Sequence, residues 1–188
     1  MALHRAFAPI LFALTLAACG ARDQARVLAD PALDAMFTEL AAADTAQAAS
    51  AVEAQIWTRW ADSGSPTVNV LLERAAAAEN AGDNELASRF LDQACDLAPE
   101  FAEPWNRRAN IAYEAEDYAG AISAIQETLK REPRHFGALT GLGLIYEELG
   151  QDRSALEAFR AALAIHPYYE LAQRGVSRLE PRVDGRDA

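Results

Sequence analysis

Pro99, Pro133 and Pro167 stand 34 residues apart, and they are not alone in that step. Ala87, Ala121 and Ala155 keep it, as do Leu91, Ile125 and Phe159, and Cys95, Leu129 and Leu163. Leu71, Trp105 and Leu139 form a further row, and Ala75, Ala109 and Gly143 another. Several rows in one register mean a structural unit of 34 residues used three times. A unit that short cannot enclose a core by itself, so neighbours must stack and share one. Within each unit the apolar positions recur at helical spacing, and alanine is abundant, which favours helix. No alternating apolar–polar run bounded by turn signals is present, so strands are not expected. Proline lacks an N–H and cannot continue a helix, so each proline of the row ends a second helix. The small residues Ala75, Ala109 and Gly143 are expected to face Ala87, Ala121 and Ala155, letting paired helix axes approach to about 8–10 Å. Gly82-Asp83 and Gly150-Gln151 make the turns between paired helices, and the middle unit has Glu116-Asp117 there, a weaker turn.

The period and the large–small–large spacing resemble the tetratricopeptide repeat (TPR), most visibly in WNRRANIAYEAEDYAGAI, residues 105–122, and GLGLIYEELGQDRSALEAF, residues 141–159. Three repeats are read, at residues 68–101, 102–135 and 136–169, about half the chain. The resemblance implies an all-α, right-handed solenoid of helix–turn–helix repeats. Arg108 departs from the family pattern, which has an apolar residue there, and Ala112 stands where it has tyrosine. The expectation is that Arg108 points outward or loosens the middle repeat, and that Tyr113 compensates for Ala112.

A stacked array leaves an apolar face at each end. Residues 170–181 are expected to form a capping helix with Leu171, Val176 and Leu179 inward, ended by Pro181, with residues 182–188 a disordered tail. Residues 31–66 read as a helical hairpin, a degenerate repeat or N-terminal cap. Asp30 caps a first helix that opens on Pro31 and buries Leu33, Met36, Phe37 and Leu40. Asp44 or Thr45 starts a second, with Val52, Ile56 and Trp60 on one face. Trp57 and Trp60 are expected as core between this hairpin and the first repeat, the alternative being an aromatic platform for a ligand.

Residues 1–18 carry Arg5 and then an uncharged apolar run from Ala6 to Ala18. The run falls short of the roughly 20 residues needed to span a bilayer and has the length of a signal-peptide core. Leu16-Ala17-Ala18-Cys19 resembles a bacterial lipobox, which implies lipidation of the Cys19 thiol and cleavage before it. The alternative is an ordinary signal peptide cut nearby, for example after Gly20. Residues 19–30 would be a tether. The expected location is periplasmic and lipid-anchored, the outer membrane favoured over the inner, with a soluble periplasmic form as alternative.

The formal net charge is -11, and Lys130 is the only lysine. Nucleic-acid binding requires basic groups over phosphates, and no basic cluster is present, so nucleic acid is excluded as a partner. His135 and His166 end two repeats and read as exposed turn residues. They are not placed as paired metal ligands, no catalytic motif is present, and neither enzyme activity, a cofactor nor a metal is expected. Cys95 reads as a small buried apolar side chain.

The resemblance implies that the first helices of successive repeats line a concave groove. Carried over position by position, the groove residues are Asn69, Glu103 and Gly137; Leu72, Asn106 and Thr140; Ala76, Asn110 and Leu144; Glu79, Tyr113 and Glu147; and Asn80, Glu114 and Glu148. Asn106 and Asn110 share a helix face with Tyr113 one turn on, and an asparagine can pair donor and acceptor with an extended backbone. TPR domains that dock chaperones grip a terminal carboxylate with lysine, arginine and asparagine. Here Leu72, Ala76, Gly137 and Gly141 occupy those places and only Asn110 matches. The expected function is a protein-interaction adaptor of the bacterial envelope whose partner carries basic or neutral segments. The alternative is a regulator binding a small ligand or glycan through its aromatic residues.

Overall fold

The computed structural model describes residues 30–185, and among them there are nine helices and no strand. They are α1 (Pro31–Ala41), α2 (Ala46–Ala61), α3 (Pro66–Asn80), α4 (Asn84–Leu97), α5 (Glu103–Glu114), α6 (Tyr118–Arg131), α7 (Phe136–Glu148), α8 (Asp152–Ile165) and α9 (Glu170–Asp184). Residues 1–29, with the expected signal, Cys19 and nearly all of the tether, and residues 186–188 lie outside the described residues.

Each repeat is an antiparallel pair: α3 with α4, α5 with α6, α7 with α8. The start of the second helix is set by short side chains that satisfy its free N–H groups. Asp83 accepts from the Leu86 N–H at 2.9 Å, and Asp117, 34 residues on, from the Gly120 N–H at 3.0 Å. The turns ahead of these helices need the left-handed backbone region. Gly82 (φ 75°) and Gly150 (φ 69°) supply it without a Cβ penalty, and Glu116 (φ 59°) adopts it with one. Ala75, Ala87, Ala121 and Ala155 are fully enclosed at the crossings. The array is an all-α solenoid of helix–turn–helix repeats, as the resemblance implies.

The small-residue rows continue into a grip on Phe159. A Cβ on Gly143 of α7 would lie 2.6 Å from Phe159 Cε1, and one on Gly175 of α9 would lie 2.5 Å from Cδ2 and Cε2. Opposite edges of one buried ring therefore rest against two glycines on different helices. Arg108 is paired with Asp92 at 3.1 Å and lies over the Trp105 ring at 5.1 Å, which gives the charged head its partners outside the core. Tyr113 is half-buried, with its ring 6.0 Å from that of Tyr118.

The closing helix differs from expectation. It runs to Asp184 with Pro181 inside it, and the expected tail is helical at residues 182–184. Interior proline costs about 3 kcal/mol. Tertiary contacts hold this last turn: Val183 packs on the core, and Arg182 reaches Asp152 (3.1 Å) and Glu147 (3.7 Å). Its inner face is Ala172, Gly175 and Leu179; Leu171 is only half-buried and Val176 packs at the margin of the core.

The hairpin departs further. Thr45 caps α2, accepting the Ala48 N–H at 3.1 Å, and Leu33, Phe37, Leu40, Ala49, Val52, Ile56 and Trp60 are buried. Their core is shared with Phe136, Leu156, Phe159 and Leu179, so the hairpin packs on the third repeat and α9, not on the first repeat. Trp57 and Trp60 are core residues, against a different surface from the one expected. The Trp60 ring stacks on His135 with centroids 4.0 Å apart and planes 7° apart. Trp57 lies edge-on to Phe136 at 5.3 Å, with Cη2 where a Cβ of Gly137 would be 2.6 Å away. One turn back along α2, Glu53 accepts from Trp57 Nε1 at 3.1 Å and bonds His166 Nε2 at 3.0 Å. The exposed-turn reading of the histidines is thus corrected: His135 is 0% and His166 1% exposed. His135 Nδ1 also accepts the Ala138 N–H at 3.0 Å and so caps α7.

Candidate functional site

The helices α3, α5 and α7 hold the expected groove residues, and the structure divides those residues into two groups. One group is occupied with holding the fold. Asn69 accepts from the Ser63 N–H (3.0 Å) and hydroxyl (2.6 Å) and donates to Asp62 (2.9 Å), pinning the turn between α2 and α3. That bond, with the Gly64 N–H, holds the Asp62 carboxyl below its usual range. Thr140 is 1% exposed and its hydroxyl donates to the Phe136 carbonyl at 2.8 Å, so it is not offered to a partner. Glu79 is gripped by Arg107 through two bonds (3.2 and 2.7 Å), and Arg107 also donates to the Leu72 carbonyl at 2.9 Å. This joins the first and second repeats. Glu147 is held by Arg178 (3.1 and 2.6 Å), which joins the third repeat to α9.

The other group surrounds a cavity of about 80 Å³ between α5 and α7, lined by Asn106, Asn110, Tyr113, Gly137, Gly141 and Leu144 among others, with Ala109, Ile125 and Ile145 as apolar floor. Residues i, i+4 and i+7 of α5 bring the two amides and the phenol to one side. Asn106 is 8% exposed; its amide donates to Glu103 at 3.4 Å. Asn110 is exposed and Tyr113 half-buried. The glycines of α7 leave the space: a Cβ on Gly141 would meet nothing nearer than Ile125 Cδ1 at 3.7 Å. At the far end of these helices Glu114 and Glu148 are exposed. Glu148 is felt by both nearby phenols. Burial, then Glu148, pushes Tyr113 and Tyr118 above the ordinary tyrosine range. Of the groove glutamates Glu79, Glu114, Glu147 and Glu148, the first and third are neutralised by Arg107 and Arg178, and Glu114 and Glu148 stay exposed.

Sequence reasoning missed the apolar floor and the arginines that take up the glutamates. The arginines were legible only as charges; their partners lie 28 and 31 residues away. The cavity is small and mostly uncharged, with room for one aliphatic group and two amides at its rim. Cys95 is buried, and burial pushes its thiol up despite a bond from Arg108. Among the described residues no group of three His, Cys, Asp or Glu side chains is placed to hold a metal ion. No helix among them is long and apolar enough to cross a membrane.

Comparison with known proteins agrees with this architecture. The sequence model of the tetratricopeptide repeat matches residues 106–170. A TPR repeat-containing protein of Rhizobium etli is 38% identical over 153 residues, covering 81% of this chain and 75% of that protein. Among solved structures, the TPR domain of Arabidopsis OM64 superposes with a TM-score of 0.59 at 22% identity, over 62% of this chain and 96% of that one. The first TPR of Spaghetti (RPAP3), bound to the HSP90 peptide SRMEEVD, gives a TM-score of 0.59 at 16% identity, over 63% and 94%. At these identities the solved structures speak for the fold alone. Repeat register, helix pairing and the Rhizobium relative agree, and this chain belongs to the tetratricopeptide repeat family.

Proposed function

We propose that this protein is a non-catalytic adaptor of the bacterial cell envelope that receives an extended segment of a partner protein along α5 and α7. The observation that carries the reading is the cavity between those helices, with an apolar floor under Asn106, Asn110 and Tyr113. An extended peptide presents alternating side chains and unpaired backbone amides. One aliphatic side chain fills the cavity while Asn110 pairs with the backbone beside it, and Tyr113 adds flat apolar area at small entropy cost. A structural neighbour, the first TPR of Spaghetti, is described as bound to a peptide, which supports this use of the fold. That peptide is acidic. Here the exposed carboxylates are Glu114 and Glu148 and the chain carries -11, so the partner segment is basic or neutral. Trp57 and Trp60 are spent on the hairpin core, so a ligand regulator would have Tyr113 at the groove as its aromatic contact.

The envelope assignment rests on residues 1–20, with Cys19 as lipid attachment point. Replacing Cys19 by alanine is expected to release the protein from membranes or leave it unprocessed, and equal membrane partition would refute the anchor.

The groove is tested by Gly141→Leu, which fills the cavity from a helix position with free space. Immobilised wild type and Gly141→Leu are compared for proteins retained from an envelope extract. Loss of a specific set on the variant, with unchanged circular dichroism, is expected. Identical retention by both would overturn the groove reading.

A further inference from the structure

The hairpin that was expected to cover the first repeat lies on the third, and this leaves one end of the array with an apolar face. Positions equivalent by the 34-residue step show it. Val70 is 43% exposed, whereas its counterparts Pro104 and Ala138 are buried beneath the preceding repeat. Ala77 is exposed, Ile111 half-buried and Ile145 buried. Phe90 is half-exposed where Ala124 and Ala158 are buried, and Leu97 is 61% exposed where Arg131 and Ile165 are half-buried. Three of the four large apolar side chains that are exposed among the described residues, Val70, Leu86 and Leu97, belong to this repeat. They form one surface. Val70, Arg74 and Ala77 follow helical spacing on α3, and Leu86, Phe90, Gln93 and Leu97 follow it on α4, with the Arg74 guanidinium 5.9 Å over the Phe90 ring joining the two stripes.

We propose that this face is the contact between two copies of the chain, docked first repeat to first repeat about a two-fold axis. Two observations select a second copy. The first is charge. A chain at -11 repels its own kind over most of its surface, but these stripes are apolar apart from Arg74, and their margins carry both signs, Arg89 together with Glu73, Glu85 and Asp96. Here a two-fold copy can set arginine against carboxylate around an apolar centre. The second is closure. The opposite end of the array is covered by α9, whose Ala172, Gly175 and Leu179 are buried against the third repeat. A head-to-tail stack would need an open apolar face at both ends, and among the described residues only the first-repeat end shows one. The self-complementary arrangement buries this face on both copies and ends at two, with no filament. It also leaves the α5–α7 cavity of each copy outside the contact, so the dimer presents two grooves.

Light scattering on the eluting full chain, in neutral detergent, measures the mass. A doubled mass is expected for wild type. Val70→Glu with Leu97→Glu replaces two exposed side chains, and is expected to give the mass of one chain with an unchanged helical spectrum. Leu149→Glu alters the exposed leucine that lies off this face, between α7 and α8, and should stay double. A wild type with the mass of one chain overturns the proposal. So does a doubled mass that survives Val70→Glu and Leu97→Glu together, or one lost equally on Leu149→Glu. If the double variant loses its helical spectrum, Leu97→Glu alone, at the most exposed position, is the deciding variant, and persistence of the doubled mass in it overturns the proposal. Peptide capture by the groove variant is read separately, so either idea can fail without the other.

Discussion

Gly175→Ala is a substitution that local rules and tertiary structure judge oppositely. Gly175 lies inside α9, where alanine is better than glycine by about 0.8–1.0 kcal/mol. On propensity alone the variant would be stabilised. The added Cβ, however, would sit 2.5 Å from two carbons of the Phe159 ring. Ordinary contact is about 3.5–4.0 Å, so ring and helix must separate by an ångström or so. The ring cannot retreat freely, since its opposite edge lies 2.6 Å from where a Cβ of Gly143 would be and its side chain is fully buried. Overpacking of this kind costs about 1–3 kcal/mol, and the double constraint places Gly175→Ala at the upper end. After the propensity gain the net loss is about 1–2 kcal/mol, a fall in Tm of about 2–8 °C for a chain of this size. Thermal unfolding followed by circular dichroism measures it. A double-mutant cycle with Phe159→Leu isolates the cause, because a smaller side chain relieves the clash. The coupling expected between the two changes is about 1 kcal/mol or more. A raised Tm for Gly175→Ala, or strict additivity with Phe159→Leu, would refute the reasoning.

Three other contacts in the molecule are open to the same kind of test. Glu116→Gly removes a Cβ from a left-handed turn residue and should stabilise the protein by about 1 kcal/mol, read as a higher urea midpoint; a lower midpoint would contradict the strain. Trp60→Ala should cost about 3–5 kcal/mol locally and speed hydrogen exchange across α1 and α2 while α4 to α6 stay protected, whereas uniform loss of protection would deny the hairpin its independence. Burial and then Glu53 raise the Tyr169 phenol, and a raised folded value means stability that is full below the unfolded pKa of about 10 and is lost as pH climbs through the folded one. Tyr169→Phe should therefore lose less stability than wild type above about pH 10, and an unchanged alkaline slope would contradict this.

How much of this molecule was written in its residue order depends on the range of the interaction. Rows such as Ala87, Ala121 and Ala155 report a packing event repeated three times between neighbours in sequence, so spacing alone shows helix, pairing and the ends of repeats. Asp83 and Asp117 announce their helices because a cap acts over three residues. The candidate site was half legible: α5 brings Asn106, Asn110 and Tyr113 together by its own periodicity, but Thr140 is closed off by tertiary burial and Glu79 and Glu147 by arginines of other helices. The hairpin's destination was not legible at all. Its apolar face states that something must cover it, and hydrophobic burial is non-directional, so the first and the third repeat are equal claimants until shapes are compared. Shape decides through Gly137, which admits Trp57, through the flat stack of Trp60 on His135, and through Glu53 meeting His166 across 113 residues of sequence. Pro181 shows the same division: its ring says stop, and Arg182 and Val183, held by groups from elsewhere in the fold, carry the helix on. The repeat is a property of the local chain, whereas which surfaces are left open for partners is set by contacts between distant segments, because only the assembled shape decides which of several apolar faces fit.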